Sequence, residues 1–162
     1  MAKPVTLVNV PNVNTNFRPC DGNWKLKALK MKVSTAMVQG AAIMPETSGA
    51  DVTGYYTLMG VENAGGDDFI GILAEAIVST DADYATAGKT KLVRVPLSPN
   101  SECEFTVGAG TFTAVDVGKT VEVHSDSKSL AVDTVGKGAR ITGYINSTRG
   151  KCAFCMPNSE TA

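Results

Sequence analysis

The sequence predicts a mainly all-β protein, an antiparallel barrel or sandwich domain preceded by an extended N-terminal arm. Three observations carry this reading. From about Glu102 to Met156, short apolar-alternating stretches are separated by Gly-, Asp- and Ser-rich turns, at the roughly 8–12-residue spacing of sandwiches and barrels. Lys91 to Leu97 alternates with the same period of two. The chain has 162 residues, 43% of them hydrophobic, and a chain of this length buries roughly 70% of its unfolded surface without disulfides or metals.

Residues 1–23 read as the arm. Val5, Leu7, Val8 and Val10 have some β character, but Pro11, Asn12, Asn14, Asn16, Pro19, Asp21 and Gly22 break any regular element. Such a segment either docks on something else or frays. The β-rich domain follows over residues 24–156, and residues 157–162 form a short tail.

Trp24 to Val38 places Lys25, Lys27, Lys30 and Lys32 among Leu26, Leu29, Met31 and Val33. Two lysine pairs at spacing two favour a strand with a bulge near Ala28–Leu29, although Leu, Lys, Ala and Met also suit a helix. Ala42 to Ala50 reads as a loop around Pro45, Ser48 and Gly49, and Val52 to Val61 as a strand with Tyr55, Tyr56 and Thr57. Asn63 to Asp68 is a turn cluster. Phe69-Ile70-Gly71-Ile72-Leu73 is continuously apolar, like a strand buried on both faces, with a helix through Ile77 as the rival. Thr80 to Gly88 suits one or two helical turns, with Thr80 as N-cap and Gly88 just past the end.

In the Lys91–Leu97 strand, Leu92, Arg94 and Pro96 point one way and Val93, Val95 and Leu97 the other. Arg94 and Pro96 belong on the wetter face. Cys103, Phe105 and Val107 share a strand face. Gly108-Ala109-Gly110 fits a three-residue hairpin loop, with Phe112 and Ala114 on the return strand. Val121 and Val123 face in and Glu122 and His124 out. Leu130 and Val132 return after a Ser-rich turn. Ile141, Gly143 and Ile145 share a face, and the last strand groups Cys152, Phe154 and Met156.

Net charge is −1 and the charged share only 19%, so no global basic field draws the chain to nucleic acid. No stretch approaches the roughly 18 apolar residues of a membrane span. Lys3 and Pro4 precede no apolar signal region, so synthesis in a cytosol is expected, with the four cysteines as thiols.

Candidate chemistry is sparse. Cys152 and Cys155 form a CxxC, but three residues along a strand put them on opposite faces about 10 Å apart, too far to share one metal ion. Cys20 and Cys103 lack a partner at metal spacing. His124, the single histidine, alternates with buried valines and is expected to face solvent. Gly88-Lys89-Thr90 and Gly118-Lys119-Thr120 end like phosphate loops, yet Asp83 and Thr113 stand where the leading glycine belongs. Asp67 with Asp68, and Asp81 with Asp83, suit caps and turns better than a calcium loop. Asn146-Ser147-Thr148 is a turn. No cofactor, metal ion or catalytic group is expected. The basic run Lys25, Lys27, Lys30 and Lys32, with Arg18 and Trp24 beside it, is either a contact for an acidic surface or an edge kept from aggregating by lysines.

Two stretches resemble the decoration (cement) proteins that coat bacteriophage capsids. One runs from Phe69-Ile70-Gly71-Ile72-Leu73 through Thr80-Asp81-Ala82-Asp83-Tyr84-Ala85-Thr86-Ala87-Gly88-Lys89 to Val93-Arg94-Val95-Pro96. The other comprises Val117-Gly118-Lys119-Thr120-Val121-Glu122-Val123, Ser129-Leu130, Ile141-Thr142-Gly143-Tyr144-Ile145 and Gly150-Lys151-Cys152-Ala153-Phe154. End to end they run over residues 69–96 and 117–154. The resemblance implies a β-barrel or β-tulip domain and a non-enzymatic structural role on the virion surface. The implied partners are the major capsid protein and further copies of the chain, commonly as homotrimers, with no membrane and no direct nucleic acid. On this reading the arm and the Trp24–Val33 strand reach neighbouring subunits, and Arg18, Trp24, Lys25, Lys27, Lys30 and Lys32 are the contact residues. Other virion roles, such as a tail-tube or head-fibre component, fit the same pattern. A small nucleic-acid-binding barrel would need aromatics interleaved with basic residues, yet aromatics are 6% of the chain. A hydrolase or carbohydrate-binding module would need paired carboxylates or an aromatic platform.

Overall fold

The computed structural model describes residues 16–46, 54–62 and 68–156. The described residues are all-β, apart from one four-residue helical turn and one 3₁₀ turn. The strands are β1 (Arg18–Pro19), β2 (Trp24–Lys30), β3 (Ala42–Pro45), β4 (Tyr56–Leu58), β5 (Gly71–Leu73), β6 (Thr90–Pro96), β7 (Cys103–Ala109), β8 (Thr120–Val123), β9 (Leu130–Val135), β10 (Ala139–Asn146) and β11 (Arg149–Phe154).

They form two sheets. The first has the order β1-β7-β11-β10-β8-β9, and β9 also pairs in parallel with β7. That last pairing closes β7, β11, β10, β8 and β9 into a barrel, which removes most free edges. β1 lies beside Cys103 and Glu104 at the start of β7, and β9 beside Val107 and Ala109 at its end. The second sheet has the order β2-β6-β5-β3-β4. It curls, because the chain just past β2 returns to β4: Met31 bridges Tyr56, and the Lys32 N–H donates to the Tyr56 carbonyl at 2.9 Å.

Side-chain alternation explains how the two sheets share a core. Ala42 and Met44 of β3 and Ile72 of β5 join the barrel-side cluster, with Phe17, Phe69, Phe105, Phe112, Leu130, Ile141 and Phe154. Their immediate neighbours Ile43 and Leu73 point the other way, into a second cluster with Leu29, Met31, Met37, Ile77 and Val93. β3 and β5 are therefore buried on both faces, the condition that selects continuous apolar runs over alternating ones. The Phe69–Leu73 run meets this expectation, with β5 at its end.

Several expectations are corrected. Residues 16–23, counted with the arm, are built into the domain: Phe17 is buried and β1 pairs with β7. Residues 1–15 lie outside the described residues. Ala42 to Pro45 is a strand, not a loop. It ends at the proline, whose missing N–H is harmless at a strand terminus. The strand expected over Val52–Val61 is confined to Tyr56–Leu58. It runs into the helical turn α1 (Met59–Glu62), and residues 52–53 lie outside the described residues.

Thr80 does not cap a helix. A series of tight turns occupies 79–88, and Asp81 Oδ2 accepts the Val78 N–H at 2.9 Å. Gly88 does adopt the expected left-handed backbone, with φ +80°. Pro96 is buried opposite Trp24, not on the wet face.

The Gly108–Gly110 hairpin does not form. β7 continues to Ala109 and pairs with β11, and Phe112 enters the core instead of a return strand. The chain then makes the 3₁₀ turn Ala114–Asp116, where Asp116 Oδ2 accepts the Thr113 N–H at 2.8 Å. Ile145 is exposed, because register shifts along β10–β11 turn it away from the face of Ile141.

Candidate functional site

The six residues expected to make partner contacts divide into two groups. β2 pairs with β6 without a break from Trp24↔Pro96 to Lys30↔Thr90. The expected bulge at Ala28–Leu29 is absent, and an uninterrupted strand sends residues of opposite parity to opposite faces. Lys25 and Lys27 therefore share a face with Leu29, and Lys30 lies on the other with Leu26 and Ala28. The three lysines are exposed and straddle the open edge of the second sheet, rather than lining one face.

Arg18, Trp24 and Lys32 are committed to the fold. Arg18 and Arg149 both donate to Glu104 Oε2, a clip that ties β1 and β11 to β7. Desolvation pushes the Glu104 carboxyl up, but hydrogen bonds and charge from Arg18 and Arg149 outweigh it and hold the group below its ordinary value. Because the folded value is depressed, the clip stabilises above the unfolded value of about 4.3 and is lost as pH falls through the folded one. The denaturation midpoint is therefore expected to drop as pH falls below about 5. Glu104→Gln should lower stability at pH 7 by about 1–2 kcal/mol and flatten part of that drop, which urea titrations across the pH range would check. An unchanged pH profile in the variant would remove the clip from the account.

The Trp24 ring is half-buried and edge-on to Phe69 at 6.5 Å, and its Nε1–H donates to the Glu102 carbonyl at 3.1 Å. Lys32 Nζ sits 2.9 Å from Glu46 Oε2, whose side chain is wholly buried.

The ladder also exposes what sequence reasoning missed. Leu26 lies opposite Arg94, and Ala28 opposite Leu92. Leu26 is 53% and Leu92 37% exposed, so the outer face of β2–β6 is aliphatic with a guanidinium set in it. Continuous pairing of the two alternating segments was the available signal, and assuming a bulge concealed it.

The remaining motifs resolve into structural roles. Cys152 lies directly opposite Cys103 across β7–β11, a pairing the sequence spacing did not suggest. Both are fully buried thiols, and burial pushes the Cys103 thiol well up. Cys20 is pushed up to about 11, by burial first and by the neighbouring Cys103 second. Thiols held protonated in this way are poor nucleophiles.

His124 is half-buried rather than fully exposed, with Nδ1 3.4 Å from Asp126 Oδ1, and Ser129 Oγ donates to the same carboxylate at 2.7–2.8 Å. These are the residue types of a catalytic triad in the wrong order. The carboxylate stands between hydroxyl and imidazole, so no base is placed on the serine. Asp126 also accepts the Lys128 and Ser129 N–H groups, which makes the cluster a turn.

Lys89, in the first loop that resembled a phosphate site, is buried. Its Nζ donates to the Tyr84 and Lys32 carbonyls at 2.6 and 3.3 Å, and desolvation lowers its pKa. Lys119, in the second, pairs with Asp116 at 2.6 Å. Among the described residues no group of three or more His, Cys, Asp or Glu side chains is placed to hold a metal ion. No family model, curated protein or solved structure matches this chain.

Proposed function

We propose that this chain is a structural virion protein that binds the exterior of an assembled phage head, contacts the major capsid protein and stabilises the shell by cross-linking neighbouring capsomers. The observation that carries the reading is the open β2 edge. It is a seven-residue strand with three exposed lysines beside an outward aliphatic face. A lysine-lined edge with exposed leucines suits a broad, acidic protein surface, and the β-rich fold agrees with the decoration-protein resemblance. In a homotrimer each weak edge contact is repeated by symmetry, so modest single-site affinity becomes firm attachment. Binding only the intact shell then stabilises that shell by mass action.

The test is occupancy on heads of the cognate phage, imaged with and without the protein. Lys25→Glu, Lys27→Glu and Lys30→Glu combined should lower occupancy about tenfold at physiological salt, and occupancy of the unaltered protein should fall as salt rises. Heads that bind the triple variant as well as the parent, or binding indifferent to salt, would remove the edge from the interface. Absence of any extra density on decorated heads would overturn the function itself.

A further inference from the structure

Among the described residues, the two sheets leave one long strand edge without a partner. β9 closes the barrel against β7, β1 has only two residues, and β4 is met by Met31 and Lys32. β2 keeps a free side along seven residues, with no proline and no register shift in its pairing with β6. The ladder fixes which backbone groups face that side. Leu97 N–H donates to the Asn23 carbonyl at 2.8 Å beyond one end of β2, and Met31 N–H donates to the Lys89 carbonyl at 3.0 Å beyond the other. Odd-numbered residues therefore bond to β6, and the N–H groups of Leu26, Ala28 and Lys30 point outward. Lys32 has the same parity, and its N–H is the one that reaches Tyr56.

We propose that β2 takes an added strand on this side: an extended segment of a partner protein in which acidic and aliphatic residues alternate. Main-chain hydrogen bonds to the outward groups supply the attachment. Side chains set the chemistry of the guest. Lys25 and Lys27 stand on one face of the ladder, so guest residues on that face are Asp or Glu, because opposite charges across a strand pair attract. Leu26 and Ala28 stand on the other face beside the exposed Leu92, so guest residues there are aliphatic. A second copy of β2 is a poor guest, since the antiparallel register that overlaps the whole strand sets Lys27 against Lys27. Edges closed to pairing are commonly short, bulged or broken by proline. This one carries lysines instead, which repel its own kind and admit an acidic strand. Strand addition rests on the capsid reading for its partner, the capsid protein, and adds to that reading the mode of attachment.

A synthetic peptide of alternating glutamate and valine, added in excess to the full chain, tests it. Hydrogen exchange read by NMR should slow about tenfold at the Leu26, Ala28 and Lys30 amides, and rising salt should reverse the effect. A peptide of alternating lysine and valine should protect none of them. Ala28→Pro should abolish binding and keep the fold, because it removes an outward N–H and no β2–β6 bond. Unchanged exchange at the three amides of the unaltered protein would overturn the proposal, whether or not the proline variant folds. Equal protection by the lysine peptide would overturn the acidic guest. A dimer that protects the same amides without peptide would overturn it in favour of a second copy. On phage heads, Ala28→Pro should lower occupancy about tenfold. Occupancy kept by Ala28→Pro but lost in the triple lysine variant would overturn strand addition and leave the capsid reading standing. Heads that bind no protein, with the amides still protected by the glutamate peptide, would remove the capsid reading and leave strand addition standing.

Discussion

Phe154→Ala is expected to lower stability by about 4 kcal/mol, read from urea or guanidinium unfolding. Phe154 sits on β11 of the barrel and is almost fully buried. It stacks on Phe69 with centroids 3.9 Å apart and planes 7° from parallel, and meets Phe17 edge-on at 4.8 Å. Phe69 leads into β5 of the open sheet and Phe17 leads into β1, so this one ring contacts the approaches to both sheets. Truncation removes the transfer free energy of a buried phenyl and leaves a cavity that three elements would have to close together. Domains of this kind are stable by only about 5–15 kcal/mol, so the loss is a large fraction of the total. A double-mutant cycle with Phe69→Ala should show a coupling of about 1 kcal/mol, because neither ring has its partner once the other is gone. A single loss below about 1 kcal/mol would mean that the barrel and the open sheet do not depend on this contact.

Gly60→Ala should be destabilising by about 3 kcal/mol, and here the sign is diagnostic. Gly60 lies in α1, where local propensity favours alanine over glycine by about 1 kcal/mol. The tertiary packing opposes this. A Cβ at position 60 would stand 2.1 Å from the His124 carbonyl oxygen and 2.9 Å from the Ser127 nitrogen. Both are backbone atoms of the β8–β9 turn, so no flexible side chain can give way. That turn is itself pinned by Asp126 and carries Ser127 in a left-handed conformation with φ 62°. A thermal melt should therefore show a lower Tm for the alanine variant. A higher Tm would show that propensity governs this position and that α1 does not press on the turn.

The sequence and the structure agree most closely where the determinants are local. β8 follows the expected in–out pattern at Val121 and Val123, and Leu130 and Val132 of β9 are buried as expected. Gly118 supplies the positive φ that its turn requires. They part where the deciding contact is distant along the chain. Ala42–Pro45 has one β-branched residue, Ile43, and ends in a proline, and it is a strand because β4 and β5 flank it on both sides. Gly108–Gly110 has the composition of a hairpin, but β7 pairs with β11 and, in parallel, with β9. The Lys25–Lys32 run has its lysines at both parities, so composition alone cannot say whether they share a face. Unbroken pairing with β6 separates them.

The sequence by itself determined the all-β class, the inward positions Cys103, Phe105, Val121, Val123, Ile141, Cys152 and Phe154 of the late strands and the doubly buried run that ends in β5, because period-two alternation and turn chemistry are encoded residue by residue. Tertiary structure alone decided the closure of the barrel by β7–β9, the curl that brings Met31 to Tyr56, and the commitment of Arg18, Trp24 and Lys32 to the fold. It also decided which lysines stay exposed at the β2 edge. A side chain's availability depends on what packs beside it, and for Arg18 and Trp24 that neighbour, at Glu104 and Glu102, comes from a distant part of the chain.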